Sequence, residues 1–204
     1  MRRIATLLAA VSLCTACVGD ALRSDADAPD RYRLEGPAVE PGGTGLPLAI
    51  AIARPRAPSS LDTDRIAVTT PGHGFDYLAG ARWADPAPQM IQQFLVGALT
   101  AEAHFATAVA APSRVPADLL LDVELGRFEA TYSNVDAPPT VVVEFGVNLV
   151  DARRGLRVAS FRSAASVAAA RNDRAAVVAA FEQATEQAVR DAVARIAAAA
   201  TPKP

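Results

Sequence analysis

Bulky apolar residues fall on alternate positions in several short segments, which is the pattern of β-strands with one buried face. The predicted strands cover Leu46–Ala53, Arg65–Thr70, Phe75–Trp83, Asp118–Tyr132, Val141–Leu149 and Leu156–Val167. Tyr32 and Leu34 are candidates for the start of an earlier strand. Within Asp118–Tyr132 the alternation shifts by one position at Gly126, which indicates a β-bulge.

Two other segments show the three-and-four spacing of apolar residues that is typical of helices packed on a core. The first begins after Asp85, a suitable N-cap, with Pro86 in the first helical position, and extends through Phe105 to end at Ala111-Pro112. The second spans Arg174–Ala200. This order predicts an α+β fold, with an antiparallel β-sheet covered by two helices in the order β-β-β-α-β-β-β-α.

The first seventeen residues have the layout of a processed leader. Met1–Arg3 is positively charged, and Ile4–Leu13 is an apolar run of ten residues, about half of the roughly 20 that a membrane-spanning helix needs. Small residues then precede Cys17. The segment resembles the lipobox of bacterial lipoproteins, whose cysteine is lipidated, although Cys14 stands where that family usually has Leu. A plain secretory leader is the alternative.

The lipobox resemblance implies four parts of the chain. They are a signal peptide over residues 1–16, a lipidated N-terminus and tether over 17–45, a single folded domain over 46–200 and a tail over 201–204. Clusters of Asp, Pro and Gly indicate the tether. Acyl chains on Cys17 would hold the protein at a membrane. Val18 implies, by the sorting rule of enteric bacteria, the outer membrane with the domain facing the periplasm, and the inner membrane is the alternative.

Composition narrows the chemistry of the folded domain. The chain has 20 Lys+Arg and 22 Asp+Glu, and loss of Arg2 and Arg3 with the leader lowers its net charge from -2 to -4. We therefore expect neither nucleic-acid binding nor a basic patch that holds a membrane. Both cysteines lie in the first seventeen residues, and His73 and His104 are the only histidines, so we expect no Cys/His zinc site and no cofactor.

Catalytic motifs are also missing from the sequence. It contains neither the Gly-Lys-Ser/Thr end of a phosphate-binding loop nor Gly-x-Ser-x-Gly. His73 in a Gly-rich turn is a candidate general base, and Asp122 with Glu124 is a candidate acid/base pair. An exposed turn and outward-facing carboxylates of a strand account for these residues more simply, and we predict that the protein is not an enzyme.

Three strings resemble the auxiliary lipoproteins of ABC-type lipid transport systems, the PqiC-like family. They are Leu61–Val68 (LDTDRIAV), Tyr77–Met90 (YLAGARWADPAPQM) and Leu120–Glu129 (LLDVELGRFE). With the helical segment Val177–Ala194, the resemblance spans about residues 30 to 197. It implies a non-enzymatic component that works beside a permease, an ATPase and an MCE-domain protein of the MlaD or PqiB kind, moving phospholipid between the two membranes.

The resemblance supplies no catalytic residues, so we nominate candidates for contact with the partner protein. They are Asp62, Asp64, Arg65, Tyr77, Arg82 and Trp83. Arg and Trp are favoured at protein interfaces. The alternative is that Trp83 belongs to the core and that Asp64 and Arg65 form a local pair.

Three further possibilities stay open at this point. The protein can itself bind and carry a lipid in a cavity between sheet and helices, or it can be a hydrolase that uses His73. A ring or another homo-oligomer is also compatible with the sequence.

Overall fold

The computed structural model describes residues 28–36, 46–72, 74–101 and 105–201, and these residues form eight strands and two helices. In chain order the elements are β1 (Asp30–Tyr32), β2 (Leu46–Ile52), β3 (Arg65–Thr70), β4 (Gly74–Trp83), α1 (Ala87–Ala101), β5 (Phe105–Ala110), β6 (Leu119–Thr131), β7 (Thr140–Asp151), β8 (Arg157–Ala168) and α2 (Arg174–Ala200).

All eight strands belong to one mixed sheet organised around β6. One edge of β6 pairs antiparallel with β7, which pairs antiparallel with β8. The other edge of β6 pairs with two strands, both of them parallel to it. β2 pairs with the first residues of β6, and β3 pairs with the last. β6 has thirteen residues against seven and six in β2 and β3, so two strands share one edge. β5 extends the sheet from β2, while β4 and then β1 extend it from β3.

The α+β class is confirmed, but the predicted antiparallel sheet and element order are corrected. The sheet is mixed, because β2, β3 and β5 take part in parallel pairs, and the order is β-β-β-β-α-β-β-β-β-α. Alternation of apolar residues reports which face of a strand is buried and not the direction of its neighbour. α1 ends at Ala101, whereas Phe105, which continues the helical spacing, begins β5.

Both helices pack on the same apolar face of the sheet. The apolar residues that recur with the three-and-four spacing along Arg174–Ala200 are buried in α2: Val177, Phe181, Ala184, Ala188, Ala192 and Ile196. Asp173 caps α2, because its side chain accepts a hydrogen bond from the backbone N–H of Ala176 at 2.8 Å. Neither of the described helices is both long and apolar enough to span a membrane.

Three aromatic rings form the centre of this core. Trp83, Phe128 and Phe181 lie with their ring centroids 4.8 to 5.5 Å apart, so each ring contacts the other two. Phe128 follows the point where the register of β6 against β7 shifts, between Leu125 and Arg127. This shift confirms the bulge predicted at Gly126, and it keeps Phe128 on the buried face.

A buried amide fastens α1 to the sheet. Nε2 of Gln92 donates to the carbonyl of Ile52 at 2.9 Å and to the carbonyl of Ala111 at 3.1 Å. Because Ile52 ends β2 and Ala111 follows β5, this side chain satisfies backbone groups where both strands finish.

β4 bulges in its middle, where it leaves β3 and meets β1. Tyr77 pairs with Ala67 and Arg82 pairs with Arg65, so four residues of β4 lie opposite one residue of β3. Gly80 in this bulge has φ of 68°, and the guanidinium of Arg174 occupies the space that a Cβ at this position would need. Arg174 donates to the carbonyl of Ala79 at 3.0 Å and pairs with Asp30 at 3.3 Å, so the start of α2 holds both the bulge and β1.

Candidate functional site

The sheet has a second face, opposite the helices, which we call the outer face. On β6 the side chains of Leu121, Val123 and Leu125 are buried beneath the helices, while Asp122 and Glu124 lie on the outer face. The register of the strands extends this face across the molecule. Its side chains are Arg65, Phe75, Tyr77, Arg82, Asp122, Glu124, Arg127, Glu129, Glu144 and Arg162.

Two of the nominated residues stack on each other on the outer face. The guanidinium carbon of Arg65 lies 3.6 Å from the ring centroid of Tyr77, which is cation–π geometry. Phe75 meets Tyr77 edge to face at 5.3 Å and is 45% exposed, while the Tyr77 hydroxyl donates to the carbonyl of Ser60 at 3.2 Å. We call Arg65, Phe75 and Tyr77 the Arg65 cluster.

The nominated acidic residues form ion pairs with other arginines. Asp64 pairs with Arg82 at 2.8 Å, so the alternative pairing of Asp64 with Arg65 is wrong. Asp62 pairs with Arg54 at 2.6 Å in the connection between β2 and β3. The hydrogen bond from Arg54 lowers the pKa of Asp62, and the same bond raises the pKa of Arg54.

Trp83 does not belong to this surface. Its side chain is fully buried against Phe128 and Phe181, and its backbone N–H donates to the carbonyl of Asp64 at 2.6 Å. The nomination of Trp83 as a contact residue is therefore corrected, since adjacent positions on a strand face opposite sides and Arg82 takes the outer one. No hydrogen-bond partner of the Trp83 indole N–H is found within the described part of the chain.

The Arg65 guanidinium differs from its neighbours on the outer face. Arg82, Arg127 and Arg162 each have a carboxylate oxygen within 2.7 to 3.2 Å. Across the described ranges, Arg65 has no carboxylate within 4.0 Å, and its cationic group rests on an aromatic ring. An open groove of about 450 Å³ runs beside it, with Pro29, Tyr77, Gly80 and Arg82 among its lining residues. The cluster thus presents the guanidinium of Arg65, which is restrained by stacking but not neutralised by a carboxylate, beside the exposed ring of Phe75.

Several of the predicted chemical groups lie outside the described residues, namely Cys17, His73 and His104. Asp122 and Glu124 are on the outer face, in agreement with the outward orientation favoured from the sequence. Among residues 28–36, 46–72, 74–101 and 105–201, no three His, Cys, Asp or Glu side chains are grouped so that they could hold a metal ion.

The sequence reasoning did not single out Phe75. A usable signal was present, because Phe75 and Tyr77 are two positions apart in a predicted strand and therefore share a face. The polar residue between them, Asp76, indicates that this region of the strand is not buried on both sides.

The chain was also compared with known proteins. A sequence model of the family described as ABC-type transport auxiliary lipoprotein component matches residues 32–193. The search of curated proteins finds no match.

Solved structures with the same fold include protein XCC0632 from Xanthomonas campestris, of family-model DUF330. It has a TM-score of 0.75 at 26% sequence identity, over 83% of this chain and 95% of that one. An uncharacterized protein has a TM-score of 0.65 at 16% identity, over 83% and 99% of the two chains. The hypothetical protein CT253 from Chlamydia trachomatis has a TM-score of 0.53 at 11% identity, over 74% and 96%.

The family match begins at Tyr32, the last residue of β1, and ends within α2, so it includes β2 to β8 and α1 in full and most of α2. It covers well over half of the chain. The protein therefore belongs to the family of ABC-type transport auxiliary lipoprotein components.

Proposed function

We propose that this protein is a lipid-anchored, non-enzymatic auxiliary component of an ABC-type phospholipid transport system, acting beside an MCE-domain protein, a permease and an ATPase. Membership of the auxiliary lipoprotein family supports a role in transport. The resemblance of Leu61–Val68, Tyr77–Met90 and Leu120–Glu129 to PqiC-like lipoproteins supports phospholipid as the cargo of the system. Acyl chains on Cys17 would place the domain at the inner leaflet of the outer membrane, facing the periplasm.

The Arg65 cluster is the observation that best supports a contact between this protein and a partner protein. Arginine and aromatic side chains dominate the binding energy of protein interfaces. Stacking on Tyr77 restrains the Arg65 side chain before any partner arrives, which lowers the entropy lost on binding. The N–H groups of Arg65 remain available for a carboxylate of the partner, and Phe75 offers an exposed ring beside them. We assign to this cluster, with Asp62, Asp64 and Arg82 at its margin, the contact with the MCE-domain protein.

The packing between sheet and helices favours this adaptor role over the alternative of a lipid carrier. Side chains from β6, β7 and α2, among them Leu121, Phe145 and Phe181, fill that space and are fully buried. The grooves of 180 to 490 Å³ in the described part of the chain open at the surface. Native mass spectrometry should therefore find the purified domain without bound phospholipid, and retention of phospholipid would support the carrier.

The contact is tested by co-purification of the MCE-domain protein with the lipoprotein after crosslinking in intact cells. We expect Arg65→Gln and Phe75→Ser to reduce capture by about tenfold each, as substitutions at interface hot spots do. The matched controls are Arg162→Gln, another outer-face arginine, and Val115→Ser, which replaces a side chain that is 44% exposed elsewhere. Equal losses in the controls would remove the Arg65 cluster from the interface, and no capture with the native chain would contradict the adaptor role itself.

The anchor has its own test. The native chain should fractionate with membranes and carry a diacylglyceryl group on an N-terminal Cys17, whereas Cys17→Ser should be released into the periplasmic fraction. An unmodified mature N-terminus in mass spectrometry would contradict lipidation.

A further inference from the structure

The connection between β7 and β8 concentrates positive charge around exposed apolar side chains. The segment Arg153–Val158, which we call the basic turn, contains Arg153, Arg154 and Arg157 and no acidic residue. Within it Leu156 is 63% exposed and Val158 is 42% exposed. The net charge of the chain, -2, led us to expect no basic patch, and it does not reveal this local group of arginines, two of which pair with the adjacent Asp118 and Asp151.

The backbone of the basic turn is held in one conformation. The carboxylate of Asp151 accepts hydrogen bonds from the backbone N–H groups of Arg153 at 3.0 Å and Arg154 at 2.8 Å. These bonds lower the pKa of Asp151, so the carboxylate stays ionised and keeps the turn closed at neutral pH. Gly155 adopts φ of 66°, which a turn of this kind requires. The backbone that carries Leu156 is therefore already ordered, so binding does not have to order it.

The turn is also fixed to the neighbouring strand. Arg153 pairs with Asp118 at 3.0 Å, and the backbone N–H of Ala152 donates to the carbonyl of Asp118 at 2.9 Å. Val158 is the extra residue at the register shift between β7 and β8, opposite the step from Leu149 to Val150. Its side chain lines an open groove of about 490 Å³. The other lining residues are the apolar Leu48, Leu119, Ala199 and Ala200, the basic Arg153 and Arg154, and the acidic Asp118 and Asp151.

The basic turn lies at the end of the molecule opposite β1. The groove beside the turn includes Ala199 and Ala200 at the C-terminus of α2, whereas Asp30 of β1 pairs with Arg174 at its N-terminus. An α-helix of 27 residues is about 40 Å long, so the two sites are separated by roughly the length of the domain. A membrane contact at the turn would thus be distinct from the point where the N-terminal segment joins the sheet.

We propose that the basic turn is a membrane-contact element that inserts Leu156 into the headgroup region of an anionic lipid bilayer, with Arg154 and Arg157 against lipid phosphates. Exposed apolar side chains flanked by arginine are the features with which peripheral proteins bind such a surface. Asp118 and Asp151 offset two of the three arginine charges. Electrostatic attraction between the turn and an anionic bilayer is therefore weak by itself, and the exposed apolar side chains are needed as well. This combination selects a lipid surface over a free phosphate ion, which would leave Leu156 in water.

The test uses the mature chain from position 17 with Cys17→Ser, so that no acyl chain contributes to binding. Vesicles of phosphatidylcholine with about a third phosphatidylglycerol are sedimented with the protein, and vesicles of phosphatidylcholine alone serve for comparison. We expect binding to the anionic vesicles that 10 mM inorganic phosphate does not displace. Leu156→Gln should lower the partition coefficient by about tenfold, and each of Arg154→Gln and Arg157→Gln by about fivefold.

Matched controls keep the result specific to the basic turn. Val135→Gln replaces a side chain that is 59% exposed elsewhere, and Arg171→Gln with Arg190→Gln removes two exposed arginines that each pair with a carboxylate. These controls should bind within twofold of the parent, and thermal unfolding should show that every variant is folded. Absence of binding to anionic vesicles, or equal losses in the controls, would overturn the proposal. If Leu156→Gln leaves vesicle binding unchanged but reduces capture of the MCE-domain protein, the turn is a protein interface and the membrane proposal is wrong.

Discussion

The two faces of the sheet are made by the same strands but differ in almost every physical property. Along β6, Leu125 is fully buried beneath the helices, whereas the preceding residue, Glu124, is exposed on the outer face. The covered face packs apolar side chains from β6, β7 and α2 into one core. The outer face carries ion pairs and the Arg65 cluster, of which Tyr77 packs partly against that core. The period of two in a strand thus separates the residues that stabilise the fold from those available to a partner.

The adjacent residues Arg82 and Trp83 show this separation at a single peptide bond. Arg82 extends outward to Asp64, and Trp83 extends inward to Phe128 and Phe181. Substitutions on the two faces should therefore have opposite effects. On the covered face they should lower stability, whereas at the Arg65 cluster of the outer face they should weaken binding with little change in stability.

The largest expected effect is the loss of the central ring of the core. Trp83→Ala should lower the free energy of unfolding by about 3–5 kcal/mol, because it removes a fully buried ring and leaves a cavity between Phe128 and Phe181. Chemical denaturation measures the change. Tyr77→Ala, on the outer face, should cost less, about 1–2 kcal/mol, for the lost stacking with Arg65 and the lost hydrogen bond to Ser60. Equal costs for the two variants would contradict the division between the faces.

A smaller effect is expected at the β4 bulge, where the outer face meets the start of α2. Gly80→Ala should lower the free energy of unfolding by about 1–2 kcal/mol, because φ of 68° is unfavourable for alanine and a Cβ would displace Arg174 from the bulge. Gly97→Ala in α1 is the matched control, since its added Cβ would meet no atom within 4 Å beyond its chain neighbours and the backbone of its own helix. That substitution should raise stability by up to about 1 kcal/mol. A stabilising Gly80→Ala would show that the bulge does not constrain β4.

The smallest effect is expected for the exposed ion pair of Arg54 and Asp62. Asp62→Asn should lower the free energy of unfolding by less than about 1 kcal/mol at neutral pH, as exposed pairs do. Because the pKa of Asp62 is lower when folded than when unfolded, its contribution is present above the ordinary carboxyl range and is lost as the pH falls below it. Denaturation curves of the parent and of Asp62→Asn should therefore converge in acid, and a difference that grows in acid would contradict the pairing.

The sequence predicted the regular part of the fold well. The long alternating strands β6, β7 and β8, the bulge at Gly126 and the buried stripe of α2 follow from periodicity, because each of these elements has one apolar and one polar side. β1 has only three residues, too few to establish a period. The apolar spacing of α1 continues to Phe105 and so predicts helix where β5 lies. The parallel pairs on β6 depend on contacts between distant segments, which periodicity does not report.

The candidate site was also predicted only in part, because residue types and strand periodicity are local whereas the packing and pairing of side chains are not. Residue types indicated Arg65, Tyr77 and Arg82, and the structure brings these side chains to one face. Trp83 was assigned to the surface because an aromatic residue favours interfaces and cores alike, and only packing with Phe128 and Phe181 decides between them. The pairing of Asp64 with Arg82 depends on the register of β3 and β4 across a bulge, which local sequence does not encode.

We propose that the Arg65 cluster on the outer face, and not the outward side of the helices, contacts the transport partner. The most direct test places a photo-crosslinking amino acid in the native lipoprotein at Phe75 and, for comparison, at Gln183, an exposed position of α2. Irradiation of intact cells followed by mass spectrometry identifies the crosslinked protein. We expect a strong adduct with the MCE-domain protein from position 75 and none above background from position 183. An adduct from position 183 with none from position 75 would contradict it.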